Sequence, residues 1–180
     1  MSVSLKRENS INWHQFFFGV AYMAAMRSKD PSTQCGACIV SENRVIGIGY
    51  NGLVKGFSDD TDLIWGGEEK KKYILHAEEN ALLNCRNSIN DLSDCEMYLW
   101  TSSGRVVLPC DRCARMINQS GVKCIHVMER SHKAETGDNR WDPDIALAVL
   151  AAGDVNLVCH DVEDIHGALS ECATSYLNLG

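Results

Sequence analysis

The sequence predicts an α/β layer sandwich. Three observations carry that expectation: strand-like and helix-like segments alternate along most of the chain, the helices between strands are short, and 45% of the 180 residues are hydrophobic. Alternation with short helices implies crossover connections between parallel strands, and that apolar fraction is enough to bury a core between layers.

Asn12 and Gln15 frame the start of an amphipathic helix whose apolar set is Trp13, Phe16, Phe17, Val20, Met23 and Ala24. Asp30 and Pro31 are expected to stop it, leaving Arg27, Ser28 and Lys29 at its end. Two β-rich runs, 37–40 and 44–50, flank Ser41, Glu42 and Asn43 and read as a hairpin. Residues 51–75 combine glycines and charges without periodicity, the composition of a long functional loop. Beyond it the expected order is helix 77–86, strand 97–101, helix 111–119, strand 123–128, helix 144–151 and strand 155–159. The acidic tail from Asp161 reads as only weakly helical.

Composition narrows the function. The polar start MSVSLKRENS is unlike a signal sequence, and nine cysteines, an odd number, suit a reducing compartment; the expected location is cytoplasmic. No apolar run approaches the roughly 20 residues of a membrane span. With 24 acidic against 17 basic residues and a net charge of −7, the chain is a poor match to a polynucleotide backbone and a better one to a small-molecule substrate. No repeat or linker divides the chain, so one domain is expected over 1–180.

The most informative residues are His76-Ala77-Glu78 and, after a gap, Pro109-Cys110-Asp111-Arg112-Cys113. Cysteines three apart share one face of a helical turn, and the positive end of a helix favours their thiolate form. With His76 they make three zinc ligands and leave a tetrahedral position for water, the mark of a catalytic rather than a structural site. Glu78 is not needed as a ligand and is placed to take a proton from activated water and return it to a ring nitrogen and a leaving amine. H-x-E followed by P-C-x-x-C is the known signature of zinc nucleobase deaminases.

Other features compete. A second C-x-x-C, Cys35 and Cys38, allows a closed four-cysteine zinc site, although that leaves His76 and Glu78 without a role. Gly47-Ile48-Gly49-Tyr50-Asn51-Gly52 matches G-x-G-x-x-G but leads into a loop rather than a helix, so a dinucleotide site is not expected. Asn118-Gln119-Ser120 matches a glycosylation pattern late in an expected helix. His14, His126, His160 and His166 show no partners in sequence, and Cys85, Cys95, Cys124, Cys159 and Cys172 have no ligand spacing.

Taken with Arg27-Ser28-Lys29-Asp30-Pro31, Gly36-Ala37-Cys38-Ile39-Val40 and the Gly-Tyr-Asn-Gly segment at 49–52, the chain resembles the deoxycytidylate deaminases of the zinc-dependent cytidine deaminase superfamily. The resemblance covers a core of about 13–160 and leaves 161–180 as a tail. It implies a three-layer α/β/α sandwich around a mixed, mainly five-stranded sheet, and hydrolysis of dCMP to dUMP and ammonia, supplying thymidylate synthesis. It implies zinc on His76, Cys110 and Cys113, with Glu78 as the proton shuttle. Asn51 would bind the sugar, the Ala77 backbone would touch the base, and Arg27 with Lys29 would meet the phosphate, while Trp100, just ahead of the second motif, is expected as a pocket wall. Where the family sets a base-covering aromatic and a basic group, this chain carries His132 and Lys133, and 103–108 also depart from the family's usual short segment.

The same resemblance implies a homo-hexamer activated by dCTP and inhibited by dTTP with Mg2+. Gly49, Tyr50, Gly52, Asn80 and Asn84 would form the regulatory pocket. The alternatives are a deaminase acting on dCTP or another cytidine compound, and a non-catalytic zinc-containing nucleotide sensor.

Overall fold

Helix α1 (Trp13–Ala25) starts at a reciprocal cap: the Gln15 amide donates to Asn12 Oδ1 at 2.9 Å, and the Asn12 amide donates to Gln15 Oε1 at 2.8 Å. It ends before Asp30, through turn bonds from Arg27 and Ser28 to the carbonyls of Ala24 and Ala25. The computed structural model describes residues 10–58, 65, 70–85, 91–103, 108–129 and 142–177, apart from the side chains of 129, 162, 163 and 172–177.

Strands β1 (Cys35–Ser41) and β2 (Arg44–Tyr50) form the expected hairpin. Glu42 and Asn43 both adopt positive φ, 49° and 59°, the geometry of a two-residue turn whose twist matches the strands. The long loop is partly ordered into β3 (Gly52–Leu53), a single helical turn α2 (Lys70–Tyr73) and β4 (Ile74–Leu75), with β3 and β4 paired antiparallel. After α3 (Ala77–Leu83) come β5 (Cys95–Thr101), α4 (Asp111–Ser120) and β6 (Cys124–Glu129), then α5 (Pro143–Ala152), β7 (Asn156–Asp161) and α6 (Val162–Leu177). The main sheet has five strands in the order β2-β1-β5-β6-β7. It is mixed: β1 runs antiparallel to β2 and β5, whereas β5, β6 and β7 are parallel.

Alternation along the strands sends side chains into two cores. Ala37, Ile39, Met97, Leu99, Ile125 and Val127 face α3, α4 and α5 on one side. Cys38, Val40, Tyr98, Trp100 and Met128 face α1 and Ile165 of α6 on the other. The result is the expected three-layer α/β/α sandwich. Among the described residues no helix is long and apolar enough to cross a membrane.

Two expectations change, and the role of one motif becomes clear. The region from Val162 is a helix of 16 residues, because Ile165 is buried and Leu169, one turn on, packs with it against α1. Helix α5 starts at Pro143, with the Asp142 carboxylate accepting the amides of Asp144 and Ile145. The Gly-x-Gly of β2 serves helix packing: a Cβ on Gly49 would lie 2.2 Å from Ala81 N and 2.3 Å from Ala77 O.

Candidate active site

Helices α3 and α4 both begin at this site. His76 is the residue immediately before α3 and Cys110 the N-cap of α4, with the buried Cys113 in the first turn. His76 Nδ1 lies 3.4 Å from Cys110 Sγ and 3.4 Å from Cys113 Sγ. Ligand atoms bound at about 2.3 Å (sulfur) and about 2.0–2.1 Å (nitrogen) on a tetrahedral ion sit about 3.5 Å apart, so these three atoms fit zinc. In the absence of an ion the three groups share their protons. The Cys113 amide donates to Cys110 Sγ at 3.5 Å, and the Cys110 thiol falls to about 4 because it accepts hydrogen bonds from Cys113 and His76. Cys113 moves the other way, holding the proton that Cys110 gives up. His76 rises because Cys110 stabilises its charged form.

Glu78, one residue into α3, is 7% exposed. Burial raises its carboxyl above the usual range, opposed in part by the neighbouring His76. A carboxyl shifted upward in this way is better suited to return a proton it has accepted than one at its ordinary value. The next residue, Glu79, was not singled out in the sequence. Its Oε2 accepts the His76 amide at 3.0 Å and the Arg112 guanidinium at 2.6 Å, tying the start of α3 to that of α4. The spacing that could have revealed it is Glu79 three residues after the N-cap position.

The segment after α1 forms a polar wall along the start of β1. Asn51 is buried, and its amide is committed on both sides: Oδ1 accepts the Cys35 amide at 2.8 Å and Nδ2 donates to Thr33 O at 2.9 Å. Ser28 donates to the Asn51 carbonyl at 2.8 Å. Asp30 accepts the Ser32 amide at 2.8 Å and the Lys70 ammonium at 2.8 Å in a largely buried pair, which joins the wall to the long loop. Burial pushes the Cys35 thiol up to about 11; its contact with Thr101 opposes the shift, and the Glu78 and Asp30 carboxylates add to it. Cys35 is therefore a neutral thiol close enough to Glu78 and Asp30 to feel both carboxylates.

Several expected residues are placed elsewhere. Trp100 faces the α1 layer, edge-on to Tyr22 with centroids 4.9 Å apart and with its indole N–H toward His166 Nε2 at 3.5 Å. As an even-numbered residue of β5 it points away from the layer holding His76, which corrects its reading as a pocket wall. Cys35 and Cys38 fall on opposite faces of β1, so the four-cysteine zinc site is not formed. Arg27 and Lys29 are exposed on the turn after α1. Ala77 is buried at the start of α3. Asn80 Nδ2 donates to Tyr50 O at 2.9 Å, and Asn84 Nδ2 to Ile48 O at 3.1 Å and Asn80 Oδ1 at 3.0 Å, so both asparagines bind α3 to β2 beside Gly49, Tyr50 and Gly52. His132 and Lys133 lie outside the described residues. The four histidines thought to lack partners all have them: His14 meets Tyr98, His126 meets His160 and Glu96, and His166 meets Trp100. Asn118 donates to Val149 O at 2.8 Å, a contact between α4 and α5.

Comparison with known proteins agrees with this geometry. Residues 11–129 match the family model described as the cytidine and deoxycytidylate deaminase zinc-binding region. The chain is 42% identical over 138 residues to the deoxycytidylate deaminase of Pongo abelii, covering 72% of each. Among solved structures it resembles the dCMP deaminase of cyanophage S-TIM5 in its apo form, with a TM-score of 0.58 and 21% identity over 82% of this chain and 96% of the other. The same phage enzyme in complex with dCMP and dUMP gives a TM-score of 0.55 and 23% identity, over 81% and 95%. The two phage structures establish likeness of fold.

Proposed function

The chain belongs to the cytidine and deoxycytidylate deaminase family, and on that premise we propose that it hydrolyses dCMP to dUMP and ammonia, a step that supplies thymidylate synthesis. The observation that carries the reading is His76 Nδ1 at 3.4 Å from both Cys110 and Cys113 sulfurs with the buried Glu78 two residues on.

His76, Cys110 and Cys113 would hold zinc. Zinc, when bound, supplies the Lewis acidity that brings water toward deprotonation at neutral pH. Glu78 takes one proton from the water that adds to C4 of cytosine and gives it to ring N3. It passes the second proton to the exocyclic amine, whereupon the C4–N bond breaks and ammonia leaves. Burial suits Glu78 to this, since a raised carboxyl pKa narrows the gap between accepting and returning a proton. Asn51 would meet the sugar with the amide hydrogen and oxygen lone pair its backbone contacts leave over, and the Ala77 backbone would touch the base. Arg27 and Lys29 would bind the 5′-phosphate, a cationic fork and a point charge at close range. His132 would stand where the family sets its base-covering aromatic, and Lys133 would supply the basic group beside it.

We also propose regulation by dCTP, as activator, and by dTTP with Mg2+, as inhibitor, in a homo-hexamer. Gly49, Tyr50, Gly52, Asn80 and Asn84 adjoin one another where α3 meets β2, and Asn51 follows directly, which supports coupling between an effector there and the sugar contact. The test is ultraviolet absorbance with dCMP, dCTP and deoxycytidine offered separately, then dCMP with each effector. Turnover of dCMP is expected, raised by dCTP and suppressed by dTTP. Preferential turnover of dCTP would replace the proposed substrate, no turnover would leave a nucleotide sensor, and a hyperbolic dCMP curve indifferent to both effectors would remove the regulation.

A further inference from the structure

On the sheet face turned away from His76, three histidines from three elements converge: His14 of α1, His126 of β6 and His160 of β7. Each offers a ligand atom within 4.8 Å of the others. Their ring centroids form a nearly equilateral triangle with sides of 5.0, 4.8 and 5.1 Å. Imidazole nitrogens at about 2.0–2.1 Å from a tetrahedral zinc ion set their ring centres about 5 Å apart, so the triangle already has the size of a tris-imidazole site.

The surrounding contacts are those of a ligand set. His126 Nε2 faces Glu96 Oε2 at 3.1 Å and Cys124 Sγ at 3.3 Å, while its Nδ1 faces His160 Nε2 at 2.8 Å. A carboxylate on the far nitrogen is what metal-ligating histidines carry; it fixes the Nε2–H tautomer and turns the Nδ1 lone pair inward. Glu96 Oε2 also accepts the Tyr98 hydroxyl at 3.1 Å, and that hydroxyl meets His14 Nδ1 at 2.8 Å. The Tyr98 ring stacks on His126 at 4.2 Å, locking its orientation. A cavity of about 190 Å³ opens onto the cluster, with Asp161 and Asp164 beside His14 and His160 in its lining, carboxylates that draw cations in.

We propose that His14, His126 and His160 form a second metal site, taking a divalent cation of the imidazole-preferring class, Zn2+ foremost, and pinning α1 to the β6–β7 edge of the sheet. Entry of the cation replaces the hydrogen bond between His126 and His160. The His160 proton leaves Nε2 and Nδ1 gains one from solvent, so both inward nitrogens present lone pairs with no net proton released. The site shares no residue with the candidate active site, so neither proposal depends on the other.

The test is zinc stoichiometry on the full chain, stripped with a chelator and titrated with Zn2+, for the wild type and a His14→Ala/His160→Ala variant. The wild type is expected to bind two ions per chain and the variant one, with deamination retained. In parallel, the second equivalent of Zn2+ should shift the ring ¹⁵N resonances of His126 and His160 in the unmutated chain. Equal stoichiometry in wild type and variant, or ring resonances of His126 and His160 unmoved at saturating Zn2+, would each overturn the site.

Discussion

Glu79 and Arg112 meet at 2.6 Å, and through that contact the two helices carrying His76, Cys110 and Cys113 begin side by side. The Glu79 side chain is 6% exposed and that of Arg112 48%, so the carboxylate depends on its partner while the guanidinium has water as well. The pair is therefore a spacer between the candidate ligands, set by residues that need touch neither metal nor substrate.

Arg112→Ala should leave Glu79 buried with the His76 amide as its one partner among the described residues. Loss of a charge-assisted hydrogen bond to a buried carboxylate costs about 1–3 kcal/mol. Urea denaturation should show that loss, zinc should leave to a chelator faster, and Arg112→Lys should recover part of both. Unchanged stability and zinc release would show that the helices hold their spacing without the pair.

Gly49→Ala should be more damaging than its size suggests. The added methyl would meet the α3 backbone at 2.2 and 2.3 Å, which no rotamer relieves. Forced separation of a packed strand and helix costs about 1–3 kcal/mol. The same change at Gly56, with φ of 104° and nothing within 4 Å, is limited to the milder cost of a left-handed backbone, so thermal melts of the two variants should separate cleanly.

Metal analysis separates the two C-x-x-C pairs. Cys110→Ser should lose the zinc held with His76, whereas Cys35→Ser should keep it, because Cys35 and Cys38 face different cores. Loss of that ion in both variants would restore a four-cysteine site.

The hairpin, the alternation of helix and strand, and the His76, Cys110 and Cys113 constellation were legible because each is local: a period, a turn or a spacing along the chain. The layer sandwich followed from that alternation, and its three-layer form from the family resemblance the motifs carry. Trp100 was misread because a strand's side chains alternate, and which face a residue takes depends on register with neighbouring strands rather than on its nearness to a motif. The pairing of Glu79 with Arg112, 33 residues apart, and the meeting of His14, His126 and His160 were invisible for the same reason, since only the fold brings α1, β6 and β7 together. Helix α6 was underestimated because Ile165 and Leu169 gain their apolar neighbours, from α1 and the sheet, only through the fold.

Cys35 gives a pH test. A thiol raised from 9.0 to about 11 by burial stays protonated to higher pH, so its alkylation should keep climbing about tenfold per unit from pH 8 to 10. At pH 8 it should react about a hundredfold more slowly than a thiol titrating at 9.0. Peptide-resolved labelling with iodoacetamide reads both; a rate that levels off by pH 9 would show that Cys35 is not held as a neutral thiol.

The most direct measurement is dCMP turnover by Glu78→Gln beside the wild type, with bound zinc measured in the same samples. Removing a positioned proton carrier costs about 10²–10⁴-fold in rate, so turnover should fall by at least that much while the zinc held by His76, Cys110 and Cys113 stays bound. Wild-type turnover by Glu78→Gln would contradict the assignment of Glu78 as the group that moves the proton.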